Sequence, residues 1–230
     1  MTTRAAMILA AGFGTRMGAL TRDRPKPLLE VAGRPLLDHA IAAAGGASPL
    51  VVNGHYRADQ IRAFLSAHHP DAIFVEEAPA ILESGGGIKH ALPHLGQGPV
   101  LTLNADAVWS GPAPSDILAA QWDPARMQGL LLLVPRNKAV GRDGGGDFLL
   151  GPDGRLTWDK GAETLVYTGA QIITTARIAA HRDTVFSLRE VWRDMIADGG
   201  LFGCVYPGVW ADVGHPAGIG LAEGMLRDAV

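Results

Sequence analysis

The sequence predicts a doubly wound α/β fold with a mostly parallel sheet, and three observations carry that prediction. Short, largely apolar runs at residues 7–10, 50–53, 100–104 and 130–134 alternate with segments whose apolar residues fall at helical spacing. The first run passes directly into a glycine-bearing loop, Leu9-Ala10-Ala11-Gly12-Phe13-Gly14-Thr15-Arg16-Met17. Ligands of open α/β sheets sit at this carboxyl edge of the strands. A chain of 230 residues that is 47% hydrophobic can bury a full core, and residues 1–230 are expected to form one domain.

After the loop, residues 34–44 carry proline at a helix start, apolar residues at helical spacing and Gly45-Gly46 as a stop; His39 inside it is expected to be partly buried and satisfied. Residues 50–53 form a buried strand, 57–67 the next helix and 72–76 a third strand. Gly85-Gly86-Gly87 is read as a turn that opens a helix over 88–95. The run 100–104 is a central strand by its apolar continuity, and Asp106 follows it at once. A further strand covers 130–134, and a loop rich in glycine and charge follows over 137–146. Residues 147–150 and 155–158 make a hairpin around Gly151-Pro152-Asp153-Gly154. The strand over 166–173 contains Gly169, a mark of close backbone approach. Ser187 with Glu190 reads as a capping box for a helix that Gly199-Gly200 ends, with Trp192 and Met195 expected in the core. A last amphipathic helix covers 216–229.

The formal net charge of −3 offers no basic face for nucleic acid or an anionic membrane, so small-molecule partners are expected. The single Cys204 lies in an apolar strand-like run and is read as a packed core residue in a reducing cytoplasm.

The chemistry gathers at the first loop. Glycines there let the backbone approach a ligand and turn several N–H groups toward one anion. Arg16 and Lys26 add cations that a polyphosphate needs. Gly12, Gly14 and Gly18 are spaced one residue too long for the dinucleotide fingerprint, and no G-x-x-x-x-G-K-[ST] run occurs. Together with Pro25-Lys26-Pro27-Leu28 and Val31-Ala32-Gly33-Arg34-Pro35-Leu36, the loop resembles the signature of the sugar-1-phosphate nucleotidyltransferases. With Glu83-Ser84-Gly85-Gly86-Gly87 and Trp210-Ala211-Asp212-Val213-Gly214, it is most similar within them to the subgroup that uridylylates N-acetylmuramate 1-phosphate.

That resemblance implies a Rossmann-like nucleotidyltransferase fold with an inserted β-rich sugar-binding portion, and Mg²⁺-dependent joining of a nucleoside triphosphate to a sugar 1-phosphate. Leu9, Ala10, Ala11, Gly12, Gly14, Thr15 and Arg16 are then expected to bind the nucleotide, with Gly85 and Gly86 supporting the base and Glu83 reading a base or ribose edge. Arg16, Lys26 and Asp106 carry the catalysis, and Asp106 and Asp212 hold the metal. Asn53, Gly146, Asp147 and Gly169 contact the second substrate. For a sugar with an added carboxylate, Arg142 and His55 are candidate discriminators. The family's Glu-Lys-Pro tripeptide is missing, and Lys160 is the candidate substitute for its lysine. A guanylyltransferase of mannose 1-phosphate or molybdopterin, a nucleotide-sugar glycosyltransferase and a non-catalytic regulatory subunit are the rival readings. The glycosyltransferase would want Asp-x-Asp where Asn104-Ala105-Asp106 stands.

Overall fold

The computed structural model describes residues 5–159, 161 and 163–228, so Lys160 lies outside the described residues. In chain order the elements begin with β1 (Ala6–Leu9), β2 (Glu30–Val31), β3 (Arg34–Pro35), α1 (Leu36–Ala43), β4 (Leu50–Gly54), α2 (Ala58–His68), β5 (Ile73–Glu76) and α3 (Glu83–Leu95). They continue with β6 (Pro99–Asn104), β7 (Ala107–Ser110), α4 (Pro114–Gln121), β8 (Gly129–Val134), β9 (Ala139–Val140), β10 (Phe148–Leu150) and β11 (Leu156–Trp158). Last come β12 (Val166–Thr174), α5 (Ala176–Ala180), α6 (Leu188–Ala197), β13 (Leu201–Val205), β14 (Val209–Asp212) and α7 (Pro216–Arg227).

A seven-stranded sheet in the order β13-β8-β12-β6-β1-β4-β5 forms the frame, with β6 at its centre. Its strands run parallel except β12, which is antiparallel to both β6 and β8. Side chains along β8 alternate between the two faces: Leu130, Leu132 and Val134 join one core, Leu131 and Leu133 the other. Both faces are covered, which is why that strand reads as an unbroken apolar run. Leu37 of α1, Ile61 of α2 and Leu118 of α4 pack on the first face; Ile88 of α3, Ile178 of α5 and Met195 of α6 pack on the second. Each such fully buried side chain contributes about 1.5–3 kcal/mol.

Two local expectations are corrected. Residues 34–35 are not helical but form β3, paired with β2 across a turn in which Ala32 and Gly33 both take positive φ (53° and 72°). Such a two-residue turn matches the strands' own twist. Gly85-Gly86-Gly87 does not precede α3 but lies inside it, since the helix begins at Glu83. Helix-interior glycine costs about 1 kcal/mol each relative to alanine, and here close packing demands it. A Cβ on Gly85 would stand 2.4 Å from the Phe186 ring, and one on Gly86 would stand 2.2 Å from the Thr184 carbonyl oxygen.

The expected hairpin is present as β10 and β11, and Ser187 and Glu190 close their capping box on α6. A small sheet in the order β7-β14-β9 was not foreseen. Only Ala105 and Asp106 separate it from the end of β6, and it returns a strand from near the carboxyl terminus to that place.

Candidate active site

At the carboxyl edge of the main sheet two cavities, about 260 and 220 Å³, share Asn104 and Asp106 and so form one bipartite cleft. The first is walled by Leu9, Ala10, Ala11 and Gly12 from the end of β1 and by Glu83 and Ser84 from the start of α3. Gly14, expected beside the phosphates, instead makes the bend. Its φ is +66°, and a Cβ there would meet Lys26 Cβ and Thr21 Cγ2 at 3.0 Å. Thr15 starts a 3₁₀ turn outside both walls, and Arg16 within that turn faces the second cavity.

Gly85 and Gly86 do not line the cleft, because their Cα faces are turned to Phe186 and Thr184; Glu83 and Ser84 present the wall in their place. Glu83 holds a positive φ of 61°, rare for a residue with a Cβ and typical of functional sites.

Asn53 touches the first cavity, yet its amide is committed elsewhere. Its Oδ1 accepts the Ala10 N–H at 2.7 Å and its Nδ2 donates to Glu77 Oε1 at 2.6 Å. Glu77 is itself buried, and its Oε2 accepts the Leu82 N–H at 2.7 Å. Asn53 therefore braces the glycine-bearing loop to the segment before α3 while lining the first cavity. Sequence reading missed Glu77 altogether, since a buried acid at a strand's end leaves no local pattern.

Asp106 and Asp212 meet. β14 pairs antiparallel with β7, setting Asp212 opposite Ala107, and the Val213 N–H donates to the Asp106 carbonyl at 3.0 Å. Both carboxylates line the second cavity. Lys26, almost fully buried, donates from Nζ to Asp106 Oδ2 at 2.7 Å. Burial raises the pKa of Asp212 and the neighbouring Asp106 raises it further, while Lys26, Arg142 and Arg16 pull it down. Two crowded carboxylates with hard oxygen donors are a fitting seat for a divalent cation. Among the described residues no group of three acids, histidines or cysteines stands together, so the remaining ligands would come from phosphate and water.

The second cavity also takes Asp147 and Gly169, while Gly146 is buried against Thr164 and outside its wall. Gly169 (φ +84°) sits where a Cβ would strike Asn104 at 2.8 Å, so the glycine lets β12 pass close to the end of β6. Arg142 lies in this cavity and pairs with Asp147 at 3.1 Å. His55 does not: its Nδ1 donates to the Glu77 carbonyl at 2.6 Å and its ring packs edge-on against Phe13.

Sequence reading also missed the cavity's aromatic wall. Phe148, Trp158, Tyr167, Trp192 and Trp210 all face it, so Trp192 is both a core residue, as expected, and a wall of the site. Nothing in their separate sequence positions announces the cluster. Cys204 is buried and free, far from any role as a nucleophile, with burial pushing its thiol up to about 12.

Compared with known protein families, residues 6–139, more than half of the chain, match the MobA-like NTP transferase domain. The chain belongs to that family. Its class of activity is nucleotidyl transfer, and the rival class of a non-catalytic subunit gains no support. Over 97% of both chains it is 41% identical to an N-acetylmuramate alpha-1-phosphate uridylyltransferase of Caulobacter vibrioides. It is 33% identical to the enzyme of the same name from Neisseria meningitidis serogroup B, over 91% of this chain and 92% of that one. The inositol-1-phosphate CTP transferase of T. maritima superposes with a TM-score of 0.78 over 98% of this chain and 97% of its own, at 17% identity, and so shares the fold. No helix among the described residues is long and apolar enough to cross a membrane.

Proposed function

We propose that this nucleotidyltransferase joins UTP to N-acetylmuramic acid 1-phosphate, releasing pyrophosphate, in a Mg²⁺-dependent cytoplasmic step of peptidoglycan recycling, and that one domain does so. The observation that carries the reading is the bipartite cleft, whose phosphate-loop half and aromatic half meet at Asn104 and Asp106. Two substrates that must react at their phosphates need such a shared junction. The full-length likeness to the two uridylyltransferases supports the choice of nucleotide and sugar.

The nucleophile is already an anionic phosphate oxygen, so no general base is required. It attacks the α-phosphorus, the bond to the β-phosphate bridge breaks, and pyrophosphate leaves with that electron pair. The work of the site is to bring anions together and offset their repulsion. Asp106 and Asp212 would hold Mg²⁺, which supplies charge neutralisation for the phosphates when bound. Lys26 donates to Asp106 at 2.7 Å and is placed to direct its ammonium charge at the negative charge developing on the α-phosphoryl oxygens. Arg16, exposed on the 3₁₀ turn, is free to bind the departing pyrophosphate. Backbone N–H groups of residues 11 and 12 complete the anion cradle, and Asn53, which accepts the Ala10 N–H, fixes the start of the loop in place.

A matrix of UTP, GTP, CTP and dTTP against several sugar 1-phosphates, scored by pyrophosphate release, tests the reading. UTP with N-acetylmuramic acid 1-phosphate should give the highest kcat/KM. A higher value for another pairing overturns the substrate assignment, and silence across the matrix overturns the reaction.

A further inference from the structure

The aromatic half of the cleft holds three guanidinium groups, and their surroundings differ. Arg142 donates to both oxygens of Asp147, at 3.1 and 3.4 Å, so its charge is answered within the protein. Arg16 turns toward the aspartates: its Nη1 and the Asp212 oxygens all stand within 3.3 Å of the point that a Cβ on Gly214 would occupy. Arg189 has neither arrangement. Among the described residues no carboxylate pairs with it, and its guanidinium lies over the Trp158 ring, 5.1 Å from the centroid.

The site of Arg189 runs against helix preference. It stands in the first turn of α6, where the aligned peptide dipoles concentrate positive charge and a cation is disfavoured. The turn is nonetheless rigid, because the Ser187 side chain accepts the Arg189 N–H and Glu190 closes the box. Trp158 is fixed as well, stacked on the buried Phe148 with ring centroids 4.4 Å apart. A guanidinium held by an aromatic platform and not by a counter-charge keeps its forked donors for a ligand.

We propose that Arg189 is a specificity-determining residue that binds a carboxylate carried on the sugar, at a point distinct from the phosphate-reacting centre beside Lys26 and Asp106. The inference rests on the substrate reading above and deepens it. It assigns the recognition of an acidic sugar to a group on α6, whereas Arg142 serves to hold Asp147 in place.

The test compares N-acetylmuramic acid 1-phosphate with N-acetylglucosamine 1-phosphate, which has the same ring but a hydroxyl where the former carries its lactyl ether. With UTP, the ratio of kcat/KM for the acidic over the neutral sugar is measured for wild type, Arg189→Gln and Arg189→Lys, with thermal melts to confirm folding. Arg189→Gln should lower the ratio at least tenfold, chiefly through KM for the acidic sugar, and Arg189→Lys should recover part of it. A ratio unchanged in Arg189→Gln, or equal losses for both sugars, overturns the inference and leaves the reaction standing. Wild type that prefers the neutral sugar, or uses neither, overturns the substrate reading and this inference with it.

Discussion

Arg16 and Asp106 are the proposed charge-handling groups whose loss reads most directly in turnover. A group that binds charge present only in the transition state contributes on the order of 3 kcal/mol there and little to substrate binding. Arg16→Ala, by removing a cation, and Asp106→Asn, by weakening the seat of the metal, should each lower kcat by at least about a hundredfold, read by pyrophosphate release with the fold confirmed by circular dichroism. Unaltered kcat in either would remove that residue from the mechanism. Cys204 gives a prediction of the opposite kind. With burial pushing its thiol up to about 12, Cys204 stays protonated at pH 8, and the sulfur is buried. Native protein should resist a thiol reagent at pH 8 and react fully once unfolded in urea. The same shift has a sign for stability. Between pH 9 and 12 the unfolded chain has lost a proton that the folded chain keeps, so stability falls as pH rises through that window. Cys204→Ala should flatten this alkaline decline in denaturant midpoint, whatever its effect at neutral pH.

Elements place these residues, and their readability varied with the range of the forces involved. The capping box at Ser187 and Glu190, the hairpin turn at residues 151–154 and the unbroken apolar strand β8 were legible because each is settled by neighbours in sequence or by burial on both faces. Ser187→Ala should cost about 1 kcal/mol, a fall in Tm of roughly 2–4 °C for a chain of this size. The glycine run in α3 was misread for the converse reason. Turn chemistry and tight packing demand the same residue, and sequence alone does not separate them. The structure does: Gly86→Ala should force α3 away from the Thr184 carbonyl and cost about 1–3 kcal/mol as an overpacked contact. Because Glu83 and Ser84 lie on the same helical turn, KM for the nucleotide should rise alongside the loss of denaturant stability. A stability loss with unaltered KM would show that this wall of the cleft does not touch the nucleotide.

For the molecule as a whole, the decisive event is a pairing between distant strands. Ala107-Val108-Trp109 and Val209-Trp210-Ala211 carry no mark of partnership in sequence, yet their antiparallel register is what sets Asp212 beside Asp106. The likeness to the family could name both aspartates, whereas composition and spacing could not join them. The aromatic wall is hidden in the same way, assembled from β10, β11, β12, α6 and β14. Adjacent carboxylates repel, and in this structure Lys26 alone among the described residues forms an ion pair with either of them. A divalent cation bound by both should relieve that repulsion and tie β7 to β14, so metal should raise thermal stability as well as support turnover. EDTA should abolish pyrophosphate release and added Mg²⁺ restore it, and Mg²⁺ should raise Tm in wild type but not in Asp212→Asn. Activity that survives thorough chelation would refute the metal assignment. An equal rise in Tm for Asp212→Asn would place any bound ion elsewhere and leave the paired aspartates as partners for Lys26.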